Sequence, residues 1–571
     1  MNRGEYMAKK FLTDVNFLKV FLFASVFLVG GYHLAVSCVL TIILLLFIIF
    51  KALSQKDFFA IKPNAVLITF GLIVLSYLAV TMWAVDKGTA IYGFFKVLPI
   101  GVFAFILSAY DKNTRDELAE AVPYAAVSSG VLAYILSFIP ALSNYFLVAE
   151  RLGGFFQSPN IFASFCLVGI IVLLTSEKIT VKNLILTALL MVLIFLTGSR
   201  TVFVFLILTI GVLLFKIKNK KIKLSLLGII LFVIAASVVV VLVTGSVQTV
   251  GRFLTISLES STLLGRLLYY VDALPVILKH PFGLGYYGYY FTQGSFQTGV
   301  YSVAFVHNSV LQYFLDIGFI PAIAFVVLVA GSFFSKNTSF RQRLILFTLF
   351  GHSLLDFDFE FTAMLLALVM VLDFDLFKKK DVELNCNAYV LTAISVVLLF
   401  FSLYFGIVNA LFLFGEHKAV DKIYGHDTMS KMYIVTEEKN QTALLKYADE
   451  IIEENGYLAI AYDIKANDAY KEGDFKRVAE YKKKAISCAP YSKEEYVDYC
   501  QKLAIGISLY LNVGDTKSAD YCKKQMVWVS EKLQEVKENT SELGWRIYDK
   551  PELELPAEYV RIIEEYKESE E

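Results

Sequence analysis

The stretch LIFLTGSRTVFVFL, with Arg200 at its centre, limits the fold of this chain more than any other. From Leu184 to Phe215, a run of 32 residues, no other residue carries a charge. A guanidinium at mid-bilayer depth is costly, so an ionisable residue in such a run points to function. As one helix the run would extend about 48 Å, at 1.5 Å per residue. A hydrocarbon layer is only about 30 Å thick. The run therefore reads as a tight hairpin with TGSR at its turn.

Similar apolar segments recur. Approximate spans fall at 17–32, 34–53, 64–83, 90–109, 118–140, 160–175, 182–198, 201–216, 224–244, 307–333, 341–355, 361–377 and 389–414. With 57% hydrophobic residues, this predicts an all-α, polytopic membrane helix bundle of about 12–13 spans over residues 1–414,. A soluble helical domain follows over 415–571. The first apolar segment leads directly into another and lacks a small-residue cleavage site, so it reads as an anchor.

Lysine and arginine set the orientation. With the N-terminus inside, alternate connections carry KALSQKDFFAIK, DKNTR, SEKITVK, KIKNKK, SKNTSFRQR and KKK. The balance is about 21 basic residues inside against 6 outside. An odd span count then places the tail outside the cytoplasm. Formal net charge is zero, but residues 1–414 carry +9 and residues 415–571 carry −9. An acidic tail argues against nucleic acid or an anionic surface as its partner. The six cysteines form no metal or disulfide framework, although a bridge among Cys488, Cys500 and Cys522 stays open,.

The unusual residues gather on the expected outer side. A long loop over about 245–306 contains STLLGRLLYYVDALPVILKHPFGLGYYGYYF, followed by VHNSVLQYFLDIGFIP. Earlier loops contain ERLGGFFQSPNIFASF and LTGSRT, and a later turn reads GHSLLDFDFEF. Tyrosines suit either a membrane interface or a sugar face, having an apolar body and a polar tip. Taken in order, RLGGFFQSPNIFASF, LTGSRT, GRLLYYVDALPVILKHPFGLGYYGYY and HNSVLQYFLDIGFIP resemble the motifs of the O-antigen ligase superfamily. That group comprises O-antigen ligases, O-antigen and capsule polymerases, and protein O-oligosaccharyltransferases. The likeness covers roughly residues 60–375.

The resemblance implies a glycosyltransferase of the GT-C type in a bacterial cytoplasmic membrane. Its donor is a polyprenyl-pyrophosphate-linked glycan, and no cofactor or metal is implied. Essential family arginines correspond to Arg200 and Arg266, and a loop arginine to Arg151, all expected near the pyrophosphate. Arginine suits this, because its planar fork stays charged and binds phosphate bidentately. The family's essential histidine corresponds to His307, expected to take the proton of an acceptor hydroxyl on a glycan, lipid or protein. His280, Asn308, Tyr286, Tyr287, Asp356 and Asp358 are further substrate-binding candidates, with a turn-shaping role favoured for His280. The plainer alternatives are arginines that reach lipid headgroups or pair with Asp272 or Glu150, a structural histidine, and solvated acids at a turn. Lys96, inside a span, is expected to snorkel or join two helices.

In the tail, ANDAYKEGDFKRVAEYKKKAISCAP and LAIGISLYLNVGDTKSADYCKKQMVWV share a Gly-Asp turn and the spacing of tetratricopeptide units,. Such a domain binds a protein partner, here through about residues 440–540, or acts as a spacer. Two other functions compete with glycosyl transfer. A transporter or flippase requires polar residues at mid-membrane depth and inverted repeats, of which the sequence carries few and none. A non-catalytic scaffold leaves the arginine–histidine set unexplained.

Overall fold

A computed structural model describes residues 14–54, 60–244, 261–377 and 384–570. The expected outer-loop residue Arg252, the basic N-terminal residues Arg3, Lys9 and Lys10, and the KKK run at 378–380 lie outside the described residues. Among those described, regular structure is almost entirely helical. The strands are two short antiparallel pairs, residues 60–61 with 384–385 and 147–148 with 151–152.

Every expected apolar segment contains helix among the described residues. Among the described residues, four helices are by length and composition able to cross a membrane: Leu34–Ser54, Lys87–Leu107, Lys112–Leu136 and Ala388–Leu413. Shorter apolar helices include Ala65–Val80, Pro159–Leu174, Val181–Thr197, Phe319–Phe334 and Thr362–Val371. The expected span 307–333 is broken at Gly318, whose φ of 82° and ψ of −170° separate Ser309–Ile317 from Phe319–Phe334. The ten residues of Thr362–Val371 are all buried, as a helix apolar on every side must be to stay in place. Lys87–Leu107 is mostly buried and central, while Ala388–Leu413 is mostly uncovered and peripheral.

The 184–215 run does break into two helices. Val181–Thr197 ends at Gly198 in the left-handed region (φ 58°, ψ 27°), and Arg200–Lys216 begins two residues later. Glycine takes that conformation without the Cβ clash other residues meet.

Contacts sort the connections alternately onto two faces. On one, Asn64 reaches Ser108 (2.9 Å), Gln342 reaches Asp116 (3.0 Å), Arg341 reaches Thr175 (3.0 Å), and Lys216 covers the Phe340 ring. On the other, Val85 N donates to Leu284 O (2.9 Å), Trp83 to Phe282 O (3.3 Å), and Arg151 to Thr197 O (2.7 Å). The carboxyl-terminal helices also meet the chain on this second face. They have their own core around Tyr496, Tyr499, Leu503 and Met526. Two helix pairs there turn alike: Gly473 (φ 74°) and Gly514 (φ 77°) are each followed by an aspartate that caps the next helix. All six cysteines are free.

Candidate active site

The site grows from the helix Ser261–Lys279 in the expected long loop. Arg266 and Tyr270 are four residues apart and so share one face of it. Arg266 Nη2 lies 3.0 Å from Asp356 Oδ2. The Tyr270 hydroxyl points between the carbonyls of His307 (2.7 Å) and Leu354 (3.2 Å). One helix therefore holds both the 354–357 turn and the residue before the next helix.

His307 has a positive φ of 55°, which few non-glycine residues adopt,. The chain reverses there because Asn308 caps the following helix, its Oδ1 accepting from Val310 N and Leu311 N at 3.0 Å each,. The His307 ring is thereby turned to Asp356, Nδ1 standing 3.0 Å from Oδ1. The edge of Phe357 packs against it, with ring centroids 4.9 Å apart. The histidine side chain keeps 26% exposure while Asp356 has 3%. A carboxylate at Nδ1 favours the tautomer protonated there, leaving the Nε2 lone pair for another proton.

Asp356 is the hub. Besides Arg266 and His307 it accepts from Asn160 Nδ2 (2.8 Å) and from Phe357 N (3.0 Å). Burial alone would raise its carboxyl, but the Arg266 charge and the His307 bond outweigh that and hold it well below the usual carboxylate range,. Asn160 in turn accepts from Arg151 Nη2 (2.7 Å), whose Nε donates to Thr197 O (2.7 Å). Arg200, half-buried, opens its helix three residues after Thr197. One polar chain thus runs from the TGSR turn through Arg151 and Asn160 to Asp356, Arg266 and His307.

The other candidates stand elsewhere. Asp358 is 0% exposed and bonded to buried His352, its Oδ2 2.7 Å from Nδ1. With Asp356 at 2% and Glu360 at 7%, the acids are not solvated turn residues: each is buried and has a side-chain partner. Tyr286 is buried and donates to Glu360 Oε2 (3.0 Å). Tyr287, half-buried with a φ of 62°, packs against Phe305 and Tyr290. His280 is exposed, and its backbone closes a turn, Gly283 N donating to its carbonyl at 2.9 Å. Lys96 does not snorkel. It is buried and donates to Gly31 O (2.9 Å) and Tyr32 O, tying its helix to the 29–32 connection. Arg266 pairs with Asp356 rather than with Asp272, which instead accepts from Thr298 and Tyr301.

Asn160 and Tyr270 are not among the candidates the sequence offers, and His352 is marked there only as part of the GHSLLDFDFEF turn; the helical spacing of Tyr270 from Arg266 is a signal that could have found it. Among the described residues no cluster of His, Cys, Asp and Glu is arranged to hold a metal ion.

Residues 185–326 match the family model described as O-antigen ligase. The matched stretch holds Arg200, Arg266, His280, Tyr286, Tyr287, His307 and Asn308. Arg151, Asn160 and Asp356 lie outside it. No curated protein matches the chain. The similarity and the apolar helices together suggest a membrane enzyme of surface polysaccharide assembly that transfers glycosyl groups.

Proposed function

We propose that this protein transfers or polymerises a polyprenyl-pyrophosphate-linked glycan on the outer face of a bacterial cytoplasmic membrane. The observation that carries the reading is the Arg266–Asp356–His307 constellation, with Arg151 joined through Asn160. Arg266 commits one nitrogen to Asp356, and a guanidinium carries five N–H donors. Arg266 holds the donor pyrophosphate, with further positive charge from Arg151, joined to Asp356 through Asn160, and from Arg200 at the TGSR turn. His307, oriented by Asp356, takes the proton of the acceptor hydroxyl at Nε2. The acceptor oxygen bonds to the anomeric carbon as that carbon's bond to the pyrophosphate oxygen breaks. The electron pair leaves with polyprenyl pyrophosphate, and the configuration inverts. Charge develops on the departing oxygen, where fixed cations lower the barrier. No metal is required, because the arginines supply the positive charge.

Half-buried Tyr287, packed on the buried Phe305 ring that also meets Phe357, offers a face on which a sugar can lie,. On this reading the helical tail is tetratricopeptide-like and extracytoplasmic. That agrees with its packing on the face that carries the site. The test is the full chain in lipid, given a polyprenyl-pyrophosphate glycan, with products weighed by mass spectrometry. A lengthening glycan identifies a polymerase. Transfer to an added lipid or protein identifies a ligase or a protein O-oligosaccharyltransferase. No turnover with any acceptor overturns the proposal in favour of transport.

A further inference from the structure

Among the described residues, the contacts between the carboxyl-terminal helices and the rest of the chain include three seams at which a glycine fits tightly. At the first, a Cβ on Gly88 would stand 1.8 Å from His426 O, and Tyr424 donates to Gly88 O (2.9 Å). At the second, a Cβ on Gly294 would stand 1.7 Å from Cys488 O. The third leads toward the site. Ser541 N donates to Thr298 O (2.9 Å), and a Cβ on Gly544 would fall 2.4 Å from that same oxygen. A tail that served only as a spacer needs no such fit.

Thr298 passes the contact on. Its N and Oγ1 donate to Asp272 at 2.9 and 2.7 Å, and Tyr301 donates to the same carboxylate at 2.9 Å. Asp272 belongs to the Arg266 helix. The Tyr301 ring lies 4.7 Å from Tyr269, which lies 6.1 Å from the His307 ring. Leu264, Leu268, Tyr301 and Ile547 close an apolar cluster across the seam.

We infer that residues 541–547 are a positioning element of the active site: by gripping Thr298 against Asp272 they set the Arg266 helix and His307 relative to each other. The inference rests on the proposed roles of Arg266 and His307. Asp272, Thr298 and Gly544 are positioning residues, since they act through those two. Binding geometry is unforgiving, and a displacement near 1 Å costs on the order of a hundredfold in turnover.

The experiment compares Thr298→Val, Thr298→Ser and Gly544→Val with the unaltered full chain in lipid nanodiscs. Amide hydrogen exchange over 298–310 is read without substrate, and kcat and KM with the polyprenyl-pyrophosphate glycan. Gly544→Val and Thr298→Val should speed exchange there and lower kcat by about a hundredfold, with KM little changed. Thr298→Ser, which keeps the hydroxyl, should restore both. Val513→Ser, at a tail residue 77% exposed and outside the seams, should alter neither. Unchanged exchange in both valine variants overturns the inference, and so does faster exchange with full kcat. If the unaltered chain transfers no glycan, the proposed function falls and the exchange pattern alone decides the seam.

Discussion

Asp356→Asn keeps the side chain's shape but removes the negative charge shared by Arg266 and His307. Two costs follow from the geometry. The first is stability. Breaking a buried ion pair costs roughly 3–5 kcal/mol. With Asp356 at 3% and Arg266 at 11% side-chain exposure, residual solvation of the arginine puts the loss near the low end, about 3 kcal/mol. The second is turnover. An amide at this position no longer enforces the Nδ1–H tautomer of His307, and misassigning that proton costs on the order of 10⁴ in hydrolytic triads. The assay is single-turnover release of polyprenyl pyrophosphate in nanodiscs, beside a thermal melt. The pH dependence has a definite sign. The folded carboxyl lies below its unfolded value of about 3.9, so its stabilisation is fully present above that value and is lost as pH falls through the folded one,. The gap in melting temperature between wild type and variant should therefore be flat from pH 5 to 8. A variant that keeps more than a tenth of wild-type turnover refutes the orienting role of Asp356.

Arg266→Lys keeps a charge but not the fork that pairs with Asp356 and phosphate, so turnover should drop at least tenfold, by about 1.4 kcal/mol or more; wild-type rates would show that a point charge suffices. Lys482, 1% exposed between Asp463 (2.7 Å), Asp498 (3.0 Å) and Glu495, should cost about 3–5 kcal/mol as Lys482→Met, seen as a lowered melting temperature. Gly283→Ala should destabilise by at least 1–3 kcal/mol, because φ is 85° and the Cβ would meet Asp316 O at 2.3 Å; the folded, monodisperse yield reports it. Excess chelator should leave the transfer rate unchanged, and a strict need for added divalent cation would contradict the arginine-based mechanism.

The parts of this fold legible in sequence are those set by length and local chemistry. A run whose sole charge is Arg200, too long for one span, had to break, and Gly198 is where it does. The spacing of Arg266 and Tyr270 places them on one helical face. Asp356 was harder, because a turn acid looks the same in sequence whether it is solvated or buried between an arginine and a histidine. That difference depends on residues 49 and 90 positions away. The break at Gly318 was hidden because the apolar pattern continues through it. The docking of the tail was not visible at all, since glycines at a seam resemble glycines in turns. Lys96 illustrates the same limit: its partners are backbone carbonyls, which leave no mark in the side-chain sequence.

The central claim is that His307 acts as base on the acceptor hydroxyl while arginines hold the donor. The most direct measurement pairs wild type with His307→Ala in nanodiscs, at equal loading and saturating polyprenyl-pyrophosphate glycan. Both donor binding and polyprenyl pyrophosphate released per enzyme are followed. The account predicts unchanged donor affinity with release at least 100-fold slower in the variant, within the usual 10²–10⁴ range for a general base. Release at the wild-type rate from His307→Ala, with donor bound, would contradict it.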